Sequence, residues 1–329
     1  MTDKKSIALI YGGRGLEHSV SVAGAKNLIS LVDTERYSVI PIYISKSGDI
    51  LLKHPCEDAA RPLLPLKNGA FADGENLVTV SAAFPLLHGD FGEDGTVQGF
   101  LETLGIPFVG CKTRASAICL DKAATKAIAE ALGIPTVGWQ LYTGRAAYGR
   151  ASEPPLFIKP CCLGSSIGAG AVFDGEQFAA KLSEACSIGD GRVLAERLMH
   201  PVRELECAFF EAQGERLFSH AGEILCHGVY SYEKKYSGGA ITTARAEIPN
   251  ETNRKIREYA EALCDFIGLR HLARIDFFLA EGEIFLNEIN TMPGMTDTSL
   301  YLRLLAESGI SPEEAINRLL SDALSEALP

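Results

Sequence analysis

The sequence predicts an α/β protein: an N-terminal, doubly wound parallel-sheet domain followed by a smaller α+β region. Two observations carry this. Over the first third of the chain, short apolar runs alternate with helix-length segments, the rhythm of a parallel sheet with crossover helices. Beyond Pro135 the apolar runs shorten and gather around a single helix, which suggests an α+β unit.

The elements follow in order. Ile7 to Tyr11 is the first strand, and Val20 to Leu31 reads as a helix after a glycine turn. Tyr37 to Ser45 and Ser81 to Leu87 are the next strands. Thr96 to Leu104 is helical and Gly105-Ile106-Pro107 ends it, while Asp121 to Leu132 is a helix stopped by Gly133 and Pro135. Short strands are expected at Phe157-Ile158-Lys159, Ala169 to Phe173, Val193 to Glu196 and Leu205 to Phe210, around a helix at Glu176 to Ala185. Gly228 to Ala240 is rich in Tyr, Ser and Gly and reads as a long loop, a class that is commonly functional. Glu251 to Phe266 is an amphipathic helix, Arg274 to Leu279 and Ile284 to Ile289 form a hairpin, and a terminal helix starts at Ser311.

The 329 residues allow two or three domains with real cores. Hydrophobic residues at 47% and charged residues at 22% are ordinary for a globular enzyme. A formal net charge of -11 argues against nucleic acid as a partner, because phosphate backbones call for a basic footprint. It leaves a phosphate ligand open, since a few lysines and a metal reverse the field inside one cleft. The nine cysteines form no Cys-x-x-Cys, and the adjacent Cys161 and Cys162 are poorly placed for a bridge or a zinc site. They read as free thiols in a reducing cytosol. The apolar run before Gly12-Gly13 is too short for a signal peptide, and no segment approaches the roughly 20 apolar residues of a membrane helix. A cytoplasmic protein without a membrane partner is expected.

Four segments are candidates for phosphate chemistry. Gly13-x-Gly15 follows a strand and opens a helix, with Asp33 and Glu35 about 20 residues on, but His18 replaces the third glycine of a dinucleotide-binding turn. A glycine turn for another ligand, or a structural turn, remains. Gly105 to Thr113 resembles a Walker A loop with one residue too many between Gly110 and Lys112. Gly164-Ser165-Ser166-Ile167-Gly168 matches a nucleophile elbow, yet strand-like Ala171-Val172-Phe173 follows where a helix is required. The same segment fits better as a flexible hairpin lid whose amides and hydroxyls bind phosphate while Lys159 supplies charge; a plain glycine hairpin is the alternative.

The sharpest cluster is Arg274-Ile275-Asp276 with Asn287-Glu288-Ile289-Asn290. Side chains alternate along a strand, so Arg274 and Asp276 share a face, as do Glu288 and Asn290. A three-residue turn at Glu281-Gly282-Glu283 places Asp276 opposite Glu288 and Arg274 opposite Asn290; a two-residue turn sends the carboxylates to opposite faces. Hard oxygen donors of this kind suit Mg²⁺, which takes one or two carboxylates plus nucleotide phosphates. A solvated sheet edge is the other reading.

With these stretches in view, the chain resembles the D-alanine–D-alanine ligases of the ATP-grasp superfamily over nearly its whole length. The resemblance is carried by Gly12-Gly13-x-x-x-Glu17-x-x-Val20-Ser21, Leu87-His88-Gly89 with Gly92-Glu93-Asp94-Gly95-Thr96, Asp121-Lys122, and Ile158-Lys159-Pro160 with Leu163 to Gly168. It continues through Tyr232-Glu233-Lys234-Lys235-Tyr236, Ala273 to Asp276 and Asn287 to Thr296. It implies an N-terminal α/β domain at 1–113, a central ATP-grasp subdomain with the glycine lid at 114–204 and a C-terminal subdomain with the metal site at 205–329. Implied nucleotide contacts are Lys122, Lys159, Glu196, Met199, Glu204 and Lys235, with Ser165 and Ser166 over the phosphates. Asp276, Glu288 and Asn290 are implied ligands of two Mg²⁺ (or Mn²⁺), Glu288 bridging them. Glu17 would hold the first D-alanine's ammonium with His88 nearby, and Tyr236 and Ser165 would fix Glu17. Arg274 and the Gly294 amide would form an oxyanion hole, and Ser299 and Leu300 would line the second D-alanine site. The implied activity is ATP-dependent synthesis of D-alanyl-D-alanine for peptidoglycan, by a homodimer. Gly15, Ser19 and Asp297-Thr298 depart from the common pattern. Some relatives make D-alanyl-D-lactate or D-alanyl-D-serine; Tyr236 and Leu300 match the D-alanine type.

Overall fold

The protein is described by a computed structural model over residues 4–144, 146–149, 153–225 and 241–326. The chain starts with β1 (Lys5–Gly12), helix α1 (His18–Leu31), β2 (Tyr37–Ile44), β3 (Ile50–Leu52) and β4 (Arg61–Pro62). A small antiparallel sheet of β5 (Leu64–Pro65), β6 (Ala70–Asp73) and β7 (Asn76–Thr79) comes next. β8 (Ala82–Leu86) then returns to the first sheet, whose order is β4-β3-β2-β1-β8. β1 is parallel to both β2 and β8, as the sequence predicts. The sheet is nonetheless mixed, because β3 runs antiparallel to β2 and β4 to β3. Only residues 45–49 separate β2 from β3, and a parallel return requires a crossover of about a dozen residues.

The alternation of β1 is used on both faces. Leu9 and Tyr11 pack with Ala25 and Leu28 of α1. Ala8 and Ile10 pack with Val97 and Leu101 of α2 (Thr96–Thr103) and with Phe71 of the small sheet. At the end of β1 a glycine is obligatory: Gly12 has φ +93°, and a Cβ there would lie 2.4 Å from the Ile44 carbonyl oxygen.

After α3 (Thr113–Leu120), Asp121 caps α4 (Lys122–Ala131) by accepting from the amides of Ala123 and Ala124 at 3.0 and 3.1 Å. The second sheet holds β9 (Trp139–Tyr142), β10 (Ala147–Gly149), β11 (Leu156–Pro160), β12 (Gly170–Val172) and β13 (Val193–Arg197). Its order is β10-β9-β13-β11-β12, antiparallel throughout, with α5 (Gly175–Cys186) against one face. The third sheet holds β14 (Arg203–Ala212), β15 (Glu215–Phe218), β16 (Gly222–Leu225) and β17 (Ile241–Thr243). β18 (Leu272–Ala280) and β19 (Glu283–Asn290) complete the order β17-β16-β14-β18-β19, with β15 alongside β14. Helix α6 (Asn250–Ile267) buries Ile256, Ala260 and Leu263 against Leu205, Cys207 and Phe209 of this sheet. The loop read at Gly228 to Ala240 lies outside the described residues. No helix among the described residues is long and apolar enough to cross a membrane.

The last two helices, α7 (Leu300–Glu307) and α8 (Pro312–Ser325), turn back to the start of the chain. Leu304, Leu305, Ile316, Leu319 and Leu320 share one core with Leu9, Leu28 and Phe84. Asn317 ties the two ends: its side-chain amide donates to Leu31 O at 2.9 Å and its oxygen accepts from the Asp33 amide at 2.8 Å.

The β18–β19 hairpin corrects one expectation and keeps its consequence. Ala280 pairs with Glu283, so the turn has two residues, Glu281 (φ 52°) and Gly282 (φ 81°), both left-handed. This is the geometry that two-residue hairpins favour, and Asp-Gly-like acidic-glycine pairs adopt it readily. Taken alone, it would send Asp276 and Glu288 to opposite faces. A β-bulge between Phe277 and Asp276 restores the match: Phe277 pairs with Leu286, Asp276 with Glu288 and Arg274 with Asn290, leaving Asn287 as the extra residue.

A buried carboxylate joins the first and third parts of the fold. Glu93 accepts from the Gly89 amide at 2.9 Å and from the Met292 amide, just past β19, at 3.0 Å. Burial, then the nearby charge of Glu17, push its pKa from 4.5 up to about 7, against the pull of the two amides. The folded chain therefore keeps a proton that the unfolded chain releases between these values, so stability falls as pH rises from about 4.5 to 7. The contribution is about 3 kcal/mol, from 1.36 kcal/mol per pKa unit. Thermal unfolding across this window is expected to show that decline, and Glu93→Gln to flatten it; an unchanged slope in the variant would remove Glu93 as its source.

Candidate active site

Two cavities meet between the second and third sheets. One, of about 350 Å³, is lined by Lys159, Ser166, Glu196, Met199, Glu204 and Asp276 among others. The other, of about 800 Å³, is lined by Glu17, His88, Asn290, Gly294, Ser299 and Leu300. Lys122, Ser165, Glu206, Arg274 and Glu288 belong to both. The fold thus collects every implied site residue among those described. Tyr236 and Lys235 lie outside the described residues.

The first cavity is built around a buried charge chain. Glu196 on β13 is 2% exposed and bridges two lysines, Lys126 at 2.8 Å and Lys159 at 2.9 Å. Burial opposes ionisation of Glu196, but the two ammonium groups prevail and hold its carboxyl below the usual range. Lys126, one helical turn after Lys122 on α4, is fully buried, and burial lowers its pKa despite Glu196. Lys159 on β11 also donates to the Asn287 side-chain oxygen at 3.1 Å, so the bulged residue of β19 ties the second sheet to the third. Glu196, expected to touch nucleotide, lines this cavity and is also paired with Lys159.

The glycine segment forms the predicted hairpin, strand to loop to strand, with Leu156 paired to Val172 and Ile158 to Gly170. The helix required after a nucleophile elbow is absent at this point. Ser165 and Ser166 both have positive φ, 53° and 56°. The two successive left-handed residues form a tight turn closed by the Ile167 amide, which donates to the Gly164 carbonyl at 3.1 Å. Non-glycine residues adopt this conformation at a cost of about 1 kcal/mol or more each.

At the junction, Ser165 Oγ donates to Glu17, the residue that opens α1. The space beside Glu17 is tight: a Cβ at Gly89 would lie 2.5 Å from its carboxylate and one at Gly164 2.9 Å, so a side chain at either position would push the end of Glu17 aside. His88 is anchored by Nδ1 against the Met292 carbonyl at 3.0 Å. Lys122 donates to Leu163 O at 2.8 Å and pairs with Glu288 at 3.3 Å. Burial works against its charge, but Glu288 outweighs burial and raises its pKa.

Asp276 and Glu288 face one another across β18 and β19 in the predicted pairing. Glu206 on β14 pairs with Asp276 on the other side, so three carboxylates cross three adjacent strands. Arg274 grips Asp276 through Nε and Nη2 at 2.8 and 2.7 Å and lies 3.2 Å from Glu206. Burial opposes its charge, and these carboxylates keep its pKa well above the ordinary value. The Asn290 amide donates to Asp276 at 3.0 Å. The donor set of Asp276, Glu288 and Asn290, with its hard oxygens on one cleft wall, fits a divalent cation held together with phosphate oxygens.

Ser299 precedes α7, and its hydroxyl accepts from the Thr296 amide at 3.0 Å. Leu300 opens the helix and borders the larger cavity. Arg303, not singled out from sequence, lines the same cavity and donates to Thr242 Oγ1 and O at 2.6 and 3.1 Å. Glu206 and Lys126 were missed as well. The only available signal was spacing: Lys126 stands four residues after Lys122, and Glu206 two after Glu204.

Comparison with known proteins accounts for this arrangement. Residues 6–111 match the family model described as the D-ala D-ala ligase N-terminus, and residues 128–321 the model of its C-terminus. A D-alanine–D-alanine ligase from Deinococcus radiodurans is 38% identical, covering 98% of this chain and 99% of its own length. A D-alanine–D-alanine ligase A from Mesorhizobium japonicum is 35% identical over 99% of each. Among solved structures, the D-alanine-D-alanine ligase from Coxiella burnetii superposes with a TM-score of 0.86 at 28% identity, covering 98% of this chain and 94% of that one. The VanG D-Ala:D-Ser ligase from Enterococcus faecalis gives the same TM-score at 29% identity, covering 98% and 100%. Matched by both family models and by relatives along its full length, the chain has the ATP-grasp fold and belongs to the D-alanine–D-alanine ligase family.

Proposed function

We propose that this chain is an ADP-forming ligase that joins two D-alanine molecules for peptidoglycan synthesis, with the chemistry at the junction of the two cavities. The observation that carries the reading is the convergence there of Glu17, Lys122, Arg274 and Glu288, drawn from the first, second and third sheet regions. We read the domains as 1–113, 114–204 and 205–329, each centred on one sheet, and the enzyme as a cytoplasmic homodimer.

ATP occupies the smaller cavity, its phosphates under Ser165 and Ser166 and beside Lys122 and Lys159. Glu17, held by Ser165, orients the first D-alanine through its ammonium, so that its carboxylate faces the γ-phosphoryl group. Attack forms the C–O–P link of D-alanyl phosphate and releases ADP. Asp276, Glu288 and Asn290 would hold Mg²⁺, which neutralises charge on the transferring phosphoryl group. The amine of the second D-alanine, its carboxylate placed near Ser299 at the start of α7, then attacks the acyl carbon. Oxyanion charge develops on that carbonyl oxygen. The Gly294 amide and Arg274, whose Nη1 has no hydrogen-bond partner among the described residues, stabilise it. Phosphate leaves, the amine proton passes to solvent, and D-alanyl-D-alanine remains. Tyr236 and Leu300 match the D-alanine type, Tyr236 against the D-lactate makers and Leu300 where the variant enzymes carry Arg.

Phosphate release from Mg-ATP should require D-alanine alone and gain little from added D-lactate or D-serine; no release with D-alanine would overturn the assignment. Glu288→Gln should lower kcat by about 100-fold or more with the fold intact, several kcal/mol of barrier, and near-normal turnover would remove the metal role. Lys126→Met should raise KM for ATP several-fold and leave KM for D-alanine unchanged. Equal effects on both substrates would show that Lys126 acts on the whole fold and not through Lys159.

A further inference from the structure

Cys161 and Cys162 follow β11 directly, and adjacency in sequence argues against a metal site. The fold changes their setting by bringing carboxylates to them. Both sulfurs and one oxygen of Asp121 lie within 4.8 Å of one another. Cys161 Sγ is 3.0 Å from Asp121 Oδ1, and Cys162 Sγ is 3.6 Å from Asp190 Oδ2. Cys161 is buried, Cys162 and Asp121 are half-buried, and Asp190 is exposed, so the group opens to solvent on the Asp190 side. Arg192 pairs with Asp121 and lies 3.8 Å from Asp190. Its charge offsets one of the two carboxylates.

We propose that Cys161, Cys162 and Asp121, with Asp190 at the rim, form a binding site for a soft divalent cation of the Zn²⁺ or Cd²⁺ type. Bond lengths of about 2.3 Å to sulfur and 2.0–2.2 Å to oxygen put tetrahedral ligand atoms about 3.5–3.8 Å apart, which small side-chain rotations reach from the observed spacing. Binding releases the two thiol protons to solvent and moves no electrons. Hydrogen bonding with Cys161, then burial, hold the Cys162 thiol above its ordinary range, so that sulfur stays protonated until a thiophilic cation displaces the proton. The site adjoins the ligase machinery without sharing a ligand with it. Asp121 caps α4 just before Lys122, and the Lys122 amide donates to the Cys161 carbonyl at 3.2 Å.

The test is a Cd²⁺ titration of the full chain in excess Mg²⁺, followed by the ultraviolet thiolate-to-cadmium charge-transfer band. The carboxylate site of the cleft contains no sulfur and is silent in this band. The band should saturate at one equivalent. Cys162→Ser should cut its amplitude by about half, since one of two sulfur ligands is gone. Asp190→Asn should weaken binding by about tenfold, and its exposed position keeps the test valid if the serine variant does not fold. Absence of the band at one equivalent would overturn the proposal. So would a band of the same amplitude and midpoint in both variants, which would place the ion at another cysteine such as the exposed Cys56.

Discussion

Three carboxylates on neighbouring strands cannot share one sheet face without cations among them. Two unit charges 4 Å apart interact by about 4 kcal/mol near a protein surface, and Glu206, Asp276 and Glu288 stand in successive pairing positions. Arg274 lies within the row and Lys122 reaches it from α4. The surrounding architecture serves this requirement. The second sheet brings Lys159 to the bulged Asn287, the cap at Asp121 starts the helix that carries Lys122, and the glycine hairpin covers the remaining side. A cleft with that balance has room for a polyanion only together with further cations, which is why nucleotide and metal belong to one reading.

Much of this was legible in the sequence because it follows from period and chemistry. Alternation along β18 and β19 put Arg274 and Asp276 on one face and Glu288 and Asn290 on one face. The path by which the two strands meet was not legible. Two left-handed residues plus a bulge give the same pairing as a three-residue turn, and nothing in the composition separates them. Glu206 was hidden inside an apolar run, read as one more core strand from Leu205 to Phe210. Lys126 was not legible because lysine is ordinarily a surface residue, and here it is fully buried against Glu196. The antiparallel strands β3 and β4 are too short to leave a periodic signal.

Strain and tightness concentrate where the two cavities join. Ser165 and Ser166 hold left-handed backbone, and the Glu17 carboxylate lies close against Gly89 and Gly164. The glycines leave room for the Glu17 carboxylate in its present position. The serines carry a conformational cost set by the loop. Both meet at the hydrogen bond from Ser165 to Glu17.

The shared core of α1, β1, α7 and α8 has a consequence for biosynthesis. One side of the opening sheet is sealed by residues from 300 to 323, separated from it by more than two hundred positions of chain. While the ribosome is still making the middle of the protein, Leu9, Leu28 and Phe84 have emerged but their partners have not. Through most of translation the amino-terminal unit therefore lacks part of its core, which is completed only when the distal helices dock.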